Sequence, residues 1–154
     1  MAEDVIDQAE TLAGLDHRRC ETEEMQIHGW TKSEIKEINL VPYGADALKI
    51  QELIEEDPTR GEHLHPGLRT QKAEVVWHAR EEMARTVEDV LARRTRSLLL
   101  NAAASIEAAS EVARILAQEL GRDEAWQAKQ VADYTALAKG YVFTDPASNG
   151  SADL

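Results

Sequence analysis

The chain has 154 residues, with 29 acidic and 17 Lys and Arg side chains and a formal net charge of −12. That length suits one domain with a real core, and 43% hydrophobic residues exclude a wholly disordered acidic tail. The acidic balance argues against non-specific nucleic-acid binding and against anionic membrane surfaces. One Phe, three Tyr and three Trp favour helices over an aromatic-rich sandwich. No apolar run approaches the ~20 residues that span a bilayer. Met1-Ala2-Glu3-Asp4 has neither the basic nor the apolar region of a signal peptide. A lone cysteine, Cys20, has no internal partner for a disulfide, which points to a reducing cytoplasm.

In chain order, Val5, Ala9 and Leu12, with Ile6 and Ala13 beside them, form an apolar stripe at helical spacing, and Gly14 is placed to stop that helix. The stripe begins at once, without a lead-in. Residues 15–30 read as irregular. Thr31 and Glu34 have capping-box spacing, which predicts a short helix over about 32–37 ended by Val41-Pro42. Tyr43-Gly44-Ala45-Asp46 leads into a helix with Ala47, Ile50, Leu53 and Ile54 on one face. Pro and Gly breakers over 57–67 predict a loop, where the charge also changes: residues 1–62 carry net −10, and residues 63–122 carry net +1.

The most helical region follows. Ala73, Val76, Trp77 and Ala84 predict a helix over about 71–85. Thr86 with Asp89 marks a new N-terminus, from which Val87, Val90, Leu91 and Leu98 continue an apolar face. Ile106, Ala109, Ala113, Leu116 and Leu120 step by three and four up to Gly121. Trp126, Gln130, Tyr134, Leu137 and Tyr141 define a last helix, and the Ser-, Asn- and Gly-rich stretch after Pro146 reads as a disordered tail. The expectation is an all-α, compact bundle of about six or seven helices with no significant sheet.

Chemistry is sparse. No two of the eight glycines stand two or five apart, so neither a G-x-G-x-x-G turn nor a P-loop can form. His63 and His65 beside Glu62, and the group His17, Cys20 and His28, lack the tight pairing of zinc ligands, and no metal site is expected. His17 is the only base near Cys20, with no third group to orient it, so no catalytic thiol is expected. His78, following Trp77, is expected at a surface or interface. Arg80, Arg85 and Arg93-Arg94-Thr95-Arg96 make one cationic strip, expected to pair with Glu81, Glu82, Glu88 and Asp89 or with the acidic first 62 residues. Trp77 and Trp126 are expected in the core, and Trp30 toward a partner.

The stretch Ala73-Glu74-Val75-Val76-Trp77, with Arg80-Glu81-Glu82-Met83-Ala84-Arg85-Thr86-Val87-Glu88-Asp89-Val90-Leu91-Ala92-Arg93-Arg94-Thr95-Arg96, resembles the C-terminal domain of FAD-dependent glycerol-3-phosphate dehydrogenases and α-glycerophosphate oxidases. Tyr43-Gly44-Ala45-Asp46-Ala47 is similar to that family's Tyr-Gly-x-x-Ala segment, and residues 101–104 and 117–126 resemble its later helices. The resemblance covers about residues 40–142. Arg69 and His78 depart from it, standing where an aromatic and a small residue are common. Met1 to Asp7 resembles the helix that follows a Gly-Gly-Lys-x-Thr-Thr-x-Arg segment at the end of the family's flavin domain.

The resemblance implies a division into residues 1–30, a remnant of the flavin domain's last helix and tail, residues 31–144, the helical C-terminal domain, and residues 145–154, the tail. The family oxidises sn-glycerol 3-phosphate to dihydroxyacetone phosphate on FAD and passes electrons to quinone or oxygen. The cofactor and substrate residues would lie upstream, so no catalytic, cofactor or metal residue carries over, and the chain alone is expected to be inactive and to hold no cofactor. Glu74, Trp77, Arg80, Arg93, Arg94 and Thr95 remain as structural or interface residues. The expected partner is the parent's flavin domain or a second subunit, in the cytoplasm or, for the parent, at the cytoplasmic face of the inner membrane. The alternative is a stand-alone helical interaction module without activity.

Overall fold

The computed structural model describes residues 2–143. The expected disordered tail lies outside them. Six α-helices run in order: α1 (Ala2–Ala13), α2 (Ala47–Glu56), α3 (Lys72–Arg80), α4 (Ser97–Leu100), α5 (Ala102–Leu120) and α6 (Glu124–Ala138). The all-α expectation holds: among the described residues there is no strand, only an isolated antiparallel bridge between His63 and Gln71.

Helix α5 is the axis of the bundle, packing against α3, α4 and α6. Its buried face holds Ala104, Ala108, Ala109, Val112, Ala113 and Leu116. Small side chains there let neighbouring backbones approach closely, while Leu40, Ile50, Val75, Val87, Leu91 and Leu98 fill the space around them. The ends of α5 follow the expected chemistry. Asn101 accepts a hydrogen bond from the Ala104 N–H at the start, and Gly121, at φ 62°, closes the end. Inside the core Tyr134 donates to Ser105 Oγ (2.9 Å), and Ser105 donates to the Ala102 carbonyl (2.8 Å), so both buried hydroxyls are satisfied.

Helix α1 forms where its periodicity predicts, with Gly14 at φ 63° beyond it, yet it buries none of its residues. Val5 is 65% and Leu12 88% exposed. Residues 15–30 form no helix, as expected.

Four expectations need correction. The predicted helix over 32–37 is irregular backbone with isolated bends. Thr31 Oγ1 accepts from Ser33 N (3.0 Å), so the hydroxyl closes a local turn instead of capping a helix too short to nucleate. The helix predicted over 71–85 stops at Arg80, because the chain wraps back at Met83, which adopts φ 57°, and Ala84 N donates to the His78 carbonyl. The apolar face from Val87 to Leu98 is not one helix. It passes through a π-helical turn (Asp89–Arg94) and breaks at Arg96, again at φ 57°, before α4. Thr95 causes the wide turn: its N–H and its hydroxyl both donate to the Val90 carbonyl. Finally, α6 ends at Ala138 and presents Tyr134 and Ala138 to the core, while Leu137 and Tyr141 face outward.

Candidate functional site

Of the residues singled out in the sequence, Glu74, Trp77, Arg94 and Thr95 line two clefts that share Pro42, Tyr43 and Glu82. The larger encloses about 660 Å³. Its floor is a buried chain of hydrogen bonds built on α3. Glu74 sits in the first turn and is 4% exposed, and its Oε2 accepts from Gln71 N (2.6 Å) and Asn39 Nδ2 (3.2 Å). Its Oε1 accepts from the Tyr43 hydroxyl (3.0 Å). One helical turn on, His78 Nε2 lies 2.8 Å from the same hydroxyl. Tyr43 has one proton and gives it to the carboxylate, so Nε2 carries its own proton and donates to the Tyr43 oxygen. His78 Nδ1 is then a bare acceptor, buried and without a hydrogen-bond partner.

The electrostatics agree with that assignment. Burial pushes the Tyr43 hydroxyl far above its ordinary value, and the Glu74 carboxylate adds to it, so the phenol stays protonated. Burial also raises Glu74, against the hydrogen bonds from Gln71, Asn39 and Tyr43 that favour its charge. Burial, followed by the nearby Arg94 charge, holds His78 down at about 3, so its imidazole is neutral.

The segment that delivers Tyr43 depends on a glycine. Gly44 adopts φ 55°, ψ −129°, and a Cβ there would meet the Gly29 carbonyl oxygen at 1.8 Å. This close approach lets Ala45 N donate to the same carbonyl (2.7 Å) and holds residues 27–30 against the turn at 43–46. Asp46 alongside is held by Lys49 (3.1 Å) and His28 (2.5 Å). Burial works against its charge, but these two partners outweigh it and keep the carboxyl below its usual range.

The arginine-rich block is internal bracing. Arg94 donates to the Asp89 carbonyl (3.0 Å) and to the Glu82 carbonyl, with Glu82 Oε2 also 3.4 Å away. It thereby ties the π turn to the segment after α3. Arg93 bonds Glu88 and Asp89 (2.6 and 2.7 Å), and Arg80 makes a two-pronged pair with Glu119 on α5 (2.7 and 3.0 Å). Thr86 and Asp89 cap one another. Burial opposes ionisation of Asp89, but the donors from Arg85, Thr86 and Arg93 prevail and hold its carboxyl low. Thr95 bonds Ser97 Oγ (2.8 Å) as well as Val90. Trp77 is buried, donates to Glu82 (3.0 Å), and has Lys49 over its ring at 5.5 Å. The expected local pairing of the strip is thus seen for Glu82, Glu88 and Asp89.

Other sequence-stated groups are dispersed. His17 pairs with Glu10 (2.9 Å), Cys20 Sγ lies 3.1 Å from Thr22 Oγ1, and His28 pairs with Asp46. His63 lies against the Arg69 carbonyl, and His65 against Glu107. His78 is a correction: expected at a surface, it is 1% exposed, because the turn after Arg80 folds over α3. The Tyr43–Glu74–His78 cluster was missed, although the four-residue step from Glu74 to His78 places both on one face of a helix. Trp126 is half-buried against the core, and Trp30 is 45% exposed.

The starts of α3, α5 and α6 are closed by their own Glu74, Asn101 and Asp123 side chains.

The fold and these contacts define a helical domain whose conspicuous polar block braces its own turns. Comparison with known proteins agrees: the family model described as the C-terminal domain of alpha-glycerophosphate oxidase matches residues 8–127, and the chain belongs to that family. It is similar to a protein of Caenorhabditis elegans described as a probable mitochondrial glycerol-3-phosphate dehydrogenase, with 42% identity over 74 residues. That match covers 48% of this chain and 10% of the relative. No solved structure matches.

Proposed function

We propose that the chain is a helical accessory domain of an FAD-dependent glycerol-3-phosphate dehydrogenase, whose parent oxidises sn-glycerol 3-phosphate to dihydroxyacetone phosphate. The domain contributes packing to that parent and no reacting group. The observation that carries the reading is the use of every arginine of the Arg93-Arg94 block on the domain's own carboxylates and carbonyls, which leaves none committed to substrate. Partnership follows the same logic: α1, with its stripe uncovered, is the element that packs on the parent's flavin domain, in the cytoplasm or at the inner-membrane face. No helix among the described residues is long and apolar enough to cross a membrane.

The test is to purify the chain, record its flavin absorbance, and assay dye reduction with glycerol 3-phosphate. No bound flavin and no turnover are expected from the chain alone. A parent flavin domain supplied in trans should recover stability or turnover when the chain is added. Bound FAD with turnover by the chain alone would overturn the reading. The bare stripe of α1 also favours a second reading, a stand-alone interaction module, which the same chain would show by binding a partner with no effect on the dehydrogenase.

A further inference from the structure

We infer that the smaller cleft, between residues 27–30 and the end of α3, takes the arginine side chain of a basic segment on a protein partner. The inference rests on the chain's own surface and not on the dehydrogenase reading, and α1 has no part in it. The cleft encloses about 570 Å³. Trp30, Tyr43 and Trp77 give it aromatic walls. Asp46, Glu81 and Glu82 set three carboxylates among them, against the single ammonium of Lys49.

The carboxylates are not equally engaged. Asp46 is held by Lys49 and His28 (3.1 and 2.5 Å). Glu82 accepts from Trp77 Nε1 (3.0 Å) and stands 3.4 Å from Arg94 Nε. Glu81, exposed just past the end of α3, has no side-chain hydrogen bond or ion pair among the described residues. Trp30 is 45% exposed, yet it is fixed in place. Its N–H donates to the Ile27 carbonyl (3.1 Å), and Ala45 N holds the preceding Gly29 carbonyl.

Both indoles already attract cations. Lys32 Nζ lies 5.7 Å from the Trp30 ring centre, and Lys49 Nζ lies 5.5 Å from that of Trp77. Lys32 is not part of the cleft lining, so its ammonium does not fill the space. An open carboxylate near an indole matches a guanidinium, which stacks on the ring and forks onto the oxygens. Ile27 and Val41, 77% and 48% exposed, border the same cleft and suit the methylenes of an arginine. The volume falls within the ~300–1,000 Å³ of clefts for drug-sized ligands, so the residues flanking the arginine fit with it. The net −10 of residues 1–62, which include Trp30 and Asp46, complements a basic segment.

The test is titration of the full chain with acetyl-Gly-Arg-Gly-amide, read by Trp fluorescence and by the indole N–H signals in NMR. Saturable binding is expected, with the Trp30 and Trp77 signals shifted and that of Trp126 unmoved. The citrulline analogue, which keeps the shape and loses the charge, should bind about tenfold more weakly. Trp30→Ala should weaken the arginine peptide roughly 3- to 30-fold. Glu81→Gln should weaken it about 2- to 5-fold, and Glu124→Gln, an exposed carboxylate on α6, should leave it unchanged. Methylguanidinium should bind more weakly than the peptide. No saturable binding, equal affinity for the citrulline analogue, an unaltered affinity in Trp30→Ala, or a Glu124→Gln effect as large as that of Glu81→Gln would each overturn the inference. Methylguanidinium binding as tightly as the peptide would overturn it too, since the cleft would then serve a small cation.

Discussion

Replacing Tyr43 with Phe removes one oxygen and tests whether the Glu74–His78 cluster is as dry as its burial indicates. The hydroxyl serves two partners, Glu74 Oε1 at 3.0 Å and His78 Nε2 at 2.8 Å. Glu74 keeps its Gln71 and Asn39 donors, but the buried carboxylate loses the bond on its other oxygen. His78 loses more, because its Nδ1 already lacks a partner and Nε2 would join it. A buried polar group left without its bond costs about 1–3 kcal/mol, with charged groups at the upper end. Water entering from the adjacent cleft offsets part of this, so about 2–4 kcal/mol is expected for the two together. In a domain of this size that is a fall of roughly 5–15 °C in Tm. The assay is urea unfolding at neutral pH, followed by ellipticity and by Trp fluorescence, where the midpoint should fall at constant slope. A loss below about 0.5 kcal/mol with an unchanged slope would show that the hydroxyl is not part of a desolvated network, and the proton assignment would fail with it.

Three further outcomes follow from the same contacts. His78 is held at about 3 against an ordinary 6.5, so the folded state refuses a proton that the unfolded chain accepts below pH 6.5. Its stabilising contribution is complete above that pH and is lost as the pH falls toward 3, over a range of roughly 4–5 kcal/mol, and His78→Gln should flatten the acid limb of the stability curve. Glu74 acts in the other direction, because burial raises its pKa and acidification relieves its charge, so the wild-type acid limb should be shallower than His78 alone would give. An acid limb unchanged in the variant would contradict the burial of a neutral imidazole. Gly44→Ala sets a Cβ 1.8 Å from a backbone oxygen at φ 55°, which nothing short of moving residues 27–30 can relieve, so faster proteolysis across that segment is expected. Met83→Gly should raise stability by roughly 0.5–1 kcal/mol in urea titration, because Met83 is exposed and adopts φ 57° without a side-chain role.

Much of the helical architecture is legible in the residues themselves. The stepping of Ile106, Ala109, Ala113 and Leu116, closed by Asn101 and Gly121, specifies α5 almost completely, because periodicity and caps are local signals. The Thr86–Asp89 cap is legible for the same reason. The break between Val87 and Leu98 is not. Its cause is Thr95 and Arg94 bonding to backbone carbonyls several residues away, and a hydrophobic pattern contains no record of which carbonyl a side chain will reach. The family to which the chain belongs was also legible, in the run from Glu74 to Thr95.

The polar cluster was decided by tertiary structure. Tyr43 and His78 stand 35 residues apart, and only the turn at Gly44 and the fold of α2 onto α3 bring their side chains within 2.8 Å. By itself the sequence determined that the chain is helical, acidic at its start and without a phosphate-binding glycine turn, since those follow from residue type and spacing. Packing determined that His78 is buried and neutral, that Arg80, Arg93 and Arg94 are spent on internal contacts, and that the stripe on α1 is uncovered. Burial depends on what lies across from a side chain, and that neighbour comes from a distant part of the chain.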